Sequence, residues 1–254
     1  MITSRFLQHL KQQHWTGVFI ELVIVVLGVF LGLQAQDWNQ ARQDRVLERQ
    51  YLQRLQYDIT QSIAMAKSNV WRMQRQYRLE GAMLDDLSRC QLDAAARKQF
   101  GAGLFLFGRI EPPPLVRGTI DELRSTGRIG LIHDVSLRTA LATAVQVNDV
   151  EKGVLNMIIT RATPAITHID ERVVFKQPPD GFDQPDIEKH GMPDGRAIYD
   201  FPALCKDPQF APAVSTVQNL THVEIQINQG MLRWFLKLLD NIDRDLDGMK
   251  KDPP

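Results

Sequence analysis

Val18-Phe-Ile-Glu-Leu-Val-Ile-Val-Val-Leu-Gly-Val-Phe-Leu-Gly-Leu33 is a run of apolar residues and glycine, interrupted by one acid, Glu21. No other run in the chain resembles it. Its flanking tryptophans, Trp15 and Trp38, are 23 residues apart. At about 1.5 Å per residue that separation is roughly 35 Å of helix. A bilayer's hydrocarbon core is about 30 Å thick, so both indoles fall at headgroup level, where aromatic belts form. Gln34, Gln36, Asp37 and Asn39 mark the exit into water. The reading is a transmembrane helix over 16–38 in a single-pass membrane protein. A cleaved signal peptide is the rival, because Leu33-Gln34-Ala35 would serve as a cleavage site. The long leader, Glu21 and helical patterning that runs through the site all favour the anchor.

Basic residues on the two flanks nearly balance: Arg5 and Lys11 before the span, Arg42, Arg45 and Arg49 after it. Long domains translocate largely regardless of local charge. The expected orientation is N-terminus inside, with the large domain on the far side of the membrane. Lys plus Arg (30) equals Asp plus Glu (30), so no global field favours nucleic acid. Two cysteines, Cys90 and Cys205, form one disulfide in an oxidising compartment or remain two free thiols; sequence does not choose.

The chain beyond the span reads as helices. Leu52, Leu55, Ile59, Ile63, Ala66, Val70, Met73, Tyr77, Leu84 and Leu87 recur at threes and fours, with Glu80 filling one seam position. One helix is expected to leave the membrane and continue to about Ser88, with Gly81 as its first soft point. Its seam either packs on its own domain or forms a coiled coil between chains. A second helix fits Leu92 to Phe107, and Pro112, Pro113 and Pro114 then enforce a break. Thr119 and Glu122 have capping-box spacing, with Gly127 as the left-handed stop. Asp134 is the expected N-cap of a helix through Leu137, Leu141, Val145, Val150, Leu155 and Ile159, weakened or kinked at Gly153 and Pro164. The last helix carries Phe210, Val214, Val217, Ile227, Met231, Trp234, Leu238, Ile242 and Leu246 on one stripe.

These readings divide the chain into a short interfacial segment (1–15), the transmembrane helix (16–38) and a helical domain with a long first helix (39–175). A Pro/Gly-rich irregular excursion (176–212) and a C-terminal helix packed on the bundle (213–254) follow. The fold class is all-α: an N-terminal transmembrane helix continuing into an elongated helical bundle.

Glu21-Leu-Val-Ile-Val-Val-Leu-Gly-Val-Phe-Leu-Gly-Leu-Gln-Ala-Gln-Asp-Trp-Asn39, followed by Glu48 and Tyr51-Leu52, resembles an uncharacterised bacterial family of single-pass membrane proteins. Thr119 to Leu141 is similar to that family's second motif, a Glu-Leu, Ser-Gly and Leu-Ile-x-Asp pattern. The chain departs from it at Ala35, where a bulkier aliphatic is usual, and around Ala144, where aromatics are common. The resemblance implies a bacterial inner-membrane anchor and a helical domain. It implies no activity, because the family's function is unknown.

Candidate chemistry is sparse. Gly28-x-x-x-Gly32 has the spacing that lets two membrane helices approach closely, though glycine is common in such helices generally. Glu21, one turn into the apolar run, either bonds to a partner helix or snorkels to the nearer headgroups. His168-x-Asp170-Glu171 and His222-x-Glu224 are poor chelators, since residues two apart on a helix diverge. No metal or cofactor is expected. Asp85-Asp86 and Asp243, Asp245 and Asp247 read as solvated surface. No nucleophile elbow or phosphate loop is present, so the expectation is a non-enzymatic interaction or scaffold module, oligomeric or part of a membrane complex. The alternatives are an extracytoplasmic ligand-sensing domain signalling through a partner and, less favoured, an enzyme with an unrecognised site. A polar cluster buried beneath the 176–212 excursion would favour the enzyme.

Overall fold

The computed structural model describes residues 15–176 and 196–251. Among them are six α-helices and one two-stranded ladder. The first helix, α1 (Trp15–Arg89), is 75 residues long, roughly 110 Å at 1.5 Å per residue. Gly81 does not soften it. That glycine makes room for the Gln218 side chain, which donates to the Tyr77 carbonyl at 3.3 Å. The helix ends at Cys90, whose φ of 48° lies in the left-handed region that non-glycine residues seldom enter.

α2 (Ala94–Leu106) is capped by Asp93, which accepts from the Ala96 amide, and packs closely on α1. A Cβ on Gly103 would sit 2.5 Å from the Met83 sulfur. Gly108 (φ 67°) then turns the chain into the proline segment. α3 (Gly118–Ser125) lacks the expected capping box. Its N-cap is Arg117, which makes no side-chain cap bond, and Thr119 lies buried inside the helix. α1 supplies the cap instead: Asp58 accepts the Thr119 amide at 3.1 Å, and Glu122 is drawn away to Tyr51 and Arg54. Gly127 does adopt a left-handed conformation (φ 70°), followed by a 3-10 turn over Arg128–Leu131.

α4 (Val135–Asp170) is capped by Asp134 as expected, and it runs unbroken past Gly153 and Pro164. Pro164 sits on the exposed face, where water can solvate the carbonyl its missing N–H leaves free. Of the 176–212 excursion, residues 176 and 196–212 are described. β1 (Val174–Phe175) pairs antiparallel with β2 (Ala197–Ile198), and α5 (Phe201–Lys206) begins at an Asp200 cap. The remainder, 177–195, lies outside the described residues, as does 1–14 of the interfacial segment. α6 (Phe210–Lys251) closes the chain as the last helix, within two residues of the start expected near Pro208.

The long seam of α1 packs within its own chain. Its most extensive partner is α6, and α4 packs on α6 in turn. This answers the coiled-coil alternative from Leu52 onward: Leu52, Leu55, Ile59 and Ala66 are fully buried in the bundle.

The core has two large clusters, with a small third of Leu79, Ala102 and Leu106 beside them. One joins Leu52 to Ala66 with Ile120, Leu123, Ile132, Leu137, Leu141 and α6 from Met231 to Leu246. The other joins Met83 and Leu87 with Phe100, Leu104, Leu155, Ile158, Phe201, Phe210, Val214 and Val217. Each gains about 25 cal/mol per Å² of apolar surface removed from water.

Candidate functional site

The two apolar cores are separated by a layer of buried polar residues. α1 contributes Asn69, Gln76 and Glu80, α4 contributes Asn148, and α6 contributes Thr221, Glu224 and Asn228; all are buried. The proline segment crosses this layer, and its sequence explains the asparagines. Three consecutive prolines lack N–H groups and cannot form helix, so the carbonyls they free must find donors elsewhere. Three helices supply one asparagine each. Asn228 donates to the Glu111 carbonyl (3.3 Å), Asn69 to that of Pro112 (3.1 Å), and Asn148 to that of Pro113 (3.0 Å). Arg72 is shared among the Glu111 carboxylate (3.2 Å), Asn69 Oδ1 (2.6 Å) and Ser68 Oγ (2.7 Å).

Beside this strap lie two acids. Gln76 donates to Glu80 at 3.0 Å, and Thr221 Oγ1 stands 3.3 Å from the same oxygen. Burial pushes the Glu80 carboxyl up to about 7, against the hydrogen bonds of Gln76 and Thr221. Glu224, 1% exposed, is pushed up to about 8 by burial, then by the neighbouring charges of Glu80 and Glu111. Glu80 Oε2, Glu224 Oε1, Asn228 Oδ1 and Asn148 Oδ1 are buried without a hydrogen-bond partner. Unsatisfied buried acceptors call for a proton, a water or a cation.

A second polar group lies at the other end of the bundle. Glu48 is buried and accepts the His133 amide (2.5 Å) and faces its Nδ1 (2.6 Å). Asp245 is held above the usual carboxylate range by burial and by the charges of Asp134 and Glu48. Asp243 accepts from Gln56 at 2.6 Å, and Asp86 is buried beside Arg89. Asp86 is thus buried and Asp243 and Asp245 are half-buried, whereas Asp85 and Asp247 are exposed as their spacing suggests. His168 meets Asp207 (2.9 Å) rather than its sequence neighbours, and His222 stacks on Tyr77. Among the described residues no group of three or more His, Cys, Asp or Glu is arranged to hold a metal ion.

The sequence-predicted site residues fall elsewhere. Trp15 is the first described residue of α1. Residues 19–43, including Glu21, Gly28, Gly32 and Trp38, are exposed throughout. A Cβ on either glycine would meet nothing within 4 Å. One helix near the N-terminus is thus long and apolar enough to cross a membrane, and none of its apolar window is buried against the protein. Cys90 and Cys205 are brought together as a disulfide with Cα atoms 5.7 Å apart. It ties the end of α1 to α5.

The fold and these sites define a class: a two-core helical bundle carried on a long helix with an exposed apolar end. Comparisons with family models, curated proteins and solved structures return no match for this chain.

Proposed function

We propose that this chain is a single-pass membrane-anchored interaction module. Its bundle stands off the bilayer on the exposed polar stretch that follows Leu33. The observation that carries the reading is the contrast along one continuous helix. From Leu52 to Ala66 its apolar seam is buried within the chain, whereas its 19–33 segment is apolar apart from Glu21 and exposed throughout. A helix that is apolar all round belongs in lipid. The Cys90–Cys205 disulfide supports placing the bundle on the non-cytoplasmic side, because such bonds persist in oxidising compartments. In that orientation the N-terminus is cytoplasmic and the setting is the bacterial inner membrane.

Association then runs through the span. Gly28 and Gly32 lie one turn apart with open space over both, the geometry that admits a second helix at close range. Glu21 gives that contact a polar bond or a charge partner. The test is the native mass of the full-length protein in mild detergent, with every subunit identified. The expected result is a homo-oligomer or a stoichiometric complex that dissociates when Gly28→Leu and Gly32→Leu are introduced together. A monomer for the unmodified protein would sink the proposal.

A further inference from the structure

We infer that Glu80 and Glu224 form a buried proton-binding site at the joint between the two cores, and that its occupancy decides whether the α1–α6 seam is closed or loosened at mid-length. The geometry argues this first. The two carboxyls come from the two longest helices within the buried polar layer: Thr221, one turn before Glu224, stands 3.3 Å from the Glu80 carboxyl, and the charge of Glu80 acts on Glu224. Each has an oxygen with no hydrogen-bond partner. Among the described residues neither forms an ion pair. Of the charged groups around them, Arg72 is held by Glu111, Asn69 and Ser68, Glu111 adds negative charge, and His222 stacks on the Tyr77 ring. Arg75, on the same helix, has buried nitrogens without hydrogen-bond partners and gives neither carboxyl an ion pair.

Two buried carboxylates without a counter-ion are strongly disfavoured, so the closed seam requires at least one of them to be protonated. A proton also supplies the O–H donor that the unsatisfied acceptors lack. When both acids ionise, like charges are left facing across the seam, and relief comes only by admitting water between residues 69–80 and 221–228. The strap is attached to the same place, since Asn228 follows Glu224 by one turn and holds the Glu111 carbonyl. Loosening Glu224 therefore also frees the first of the three strap anchors.

The pH direction follows from the raised values. Folded carboxyls at about 7 and about 8, against 4.5 for the ordinary glutamate, keep protons that the unfolded chain gives up. Stability from the closed seam is therefore complete below about 4.5 and is lost as pH climbs to about 8. The site depends neither on the membrane anchor nor on oligomerisation, so it stands or falls separately from the proposed function.

The experiment uses the full-length protein in detergent. Carboxyl infrared absorption and glutamate side-chain NMR are followed from about pH 5 to about pH 9, with hydrogen exchange of the seam amides corrected for intrinsic rate. A protonated carboxyl band is expected at about pH 6, disappearing by about pH 9 and absent when Glu80→Gln and Glu224→Gln are combined. Over the same range amide exchange in 221–228 should accelerate about tenfold or more, the effect of roughly one pKa unit of linkage. In the doubly substituted protein it should stay constant. Two results overturn the inference: carboxyls already ionised at about pH 6, or protection at about pH 9 restored by sodium or calcium, which would make the ligand a cation. The infrared band of the unsubstituted protein decides the question even if the double variant fails to fold.

Discussion

Gly103 and Gly32 show how differently one residue type can be used in one chain. Gly103 lets α2 lie against α1 with Met83 filling the space above it, and a Cβ there would overlap the thioether. Met83 is fully buried, so it has little freedom to retreat. Gly103→Ala should lower bundle stability by about 1–3 kcal/mol, the usual cost of overpacking. Gly32→Ala, with nothing within 4 Å, should leave bundle unfolding unchanged. Thermal or denaturant unfolding of the two variants checks the contrast, and an equal effect would contradict the packing described. Carboxylates also divide into two kinds. The Gln209 backbone amide, with Arg172 and His168, holds Asp207 below its ordinary range, and the Ser136 hydroxyl does the same for Asp134. Their stabilisation is lost as pH falls, whereas that of Glu80 and Glu224 is lost as pH rises. The most stable state therefore lies on the acid side of neutrality.

Elements were legible in the sequence where their apolar spacing was unbroken. The positions of α1 from Leu52 to Ala66 and of α6 from Met231 to Leu246 follow directly from a period near 3.6. The polar layer was illegible for the same reason. An apolar-only reading of α1 passes over Asn69 and Gln76 and takes Val70 and Tyr77, which the structure leaves half-buried and partly exposed. On α6 the apolar stripe jumps from Val217 to Ile227, across the interval where Thr221 and Glu224 are buried. A gap at matching depth in two long stripes was the available signal. The proline triplet was a second: carbonyls freed from helix must find donors, and buried asparagines on the facing helices supply them. The capping box failed because a tertiary acceptor, Asp58, took the amide that local chemistry would have used. The disulfide acts at this scale as well. It closes a loop of 115 residues, and loops of that order restrict the unfolded chain by up to about 4–5 kcal/mol. Replacing both cysteines with serine should lower the unfolding free energy by about 2–5 kcal/mol. The effect should be largest in the second core, where α5 packs. An unchanged unfolding midpoint would show that the bond adds nothing.

At the scale of the whole molecule, the exposed end of α1 and the bundle are mechanically joined but energetically separate. Residues 19–43 are exposed throughout, and the first side chains to turn inward are those around Leu47 and Glu48. Deleting everything before Gln40 should therefore leave every core contact intact. The shortened protein is expected to be soluble without detergent, to retain the full-length protein's helical signal and unfolding midpoint, and to sediment as a monomer. Each expectation addresses a different claim. Loss of the midpoint would show that the stalk supports the bundle. A shortened protein that still self-associates would move the interface from the span to the bundle surface. There the open groove between α4 and α6, lined by Val147, Ile227, Met231 and Trp234, is the apolar face to mutate next. A monomeric fragment beside an oligomeric full-length chain would instead confine association to residues 1–39, where Gly28, Gly32 and Glu21 are the groups suited to it.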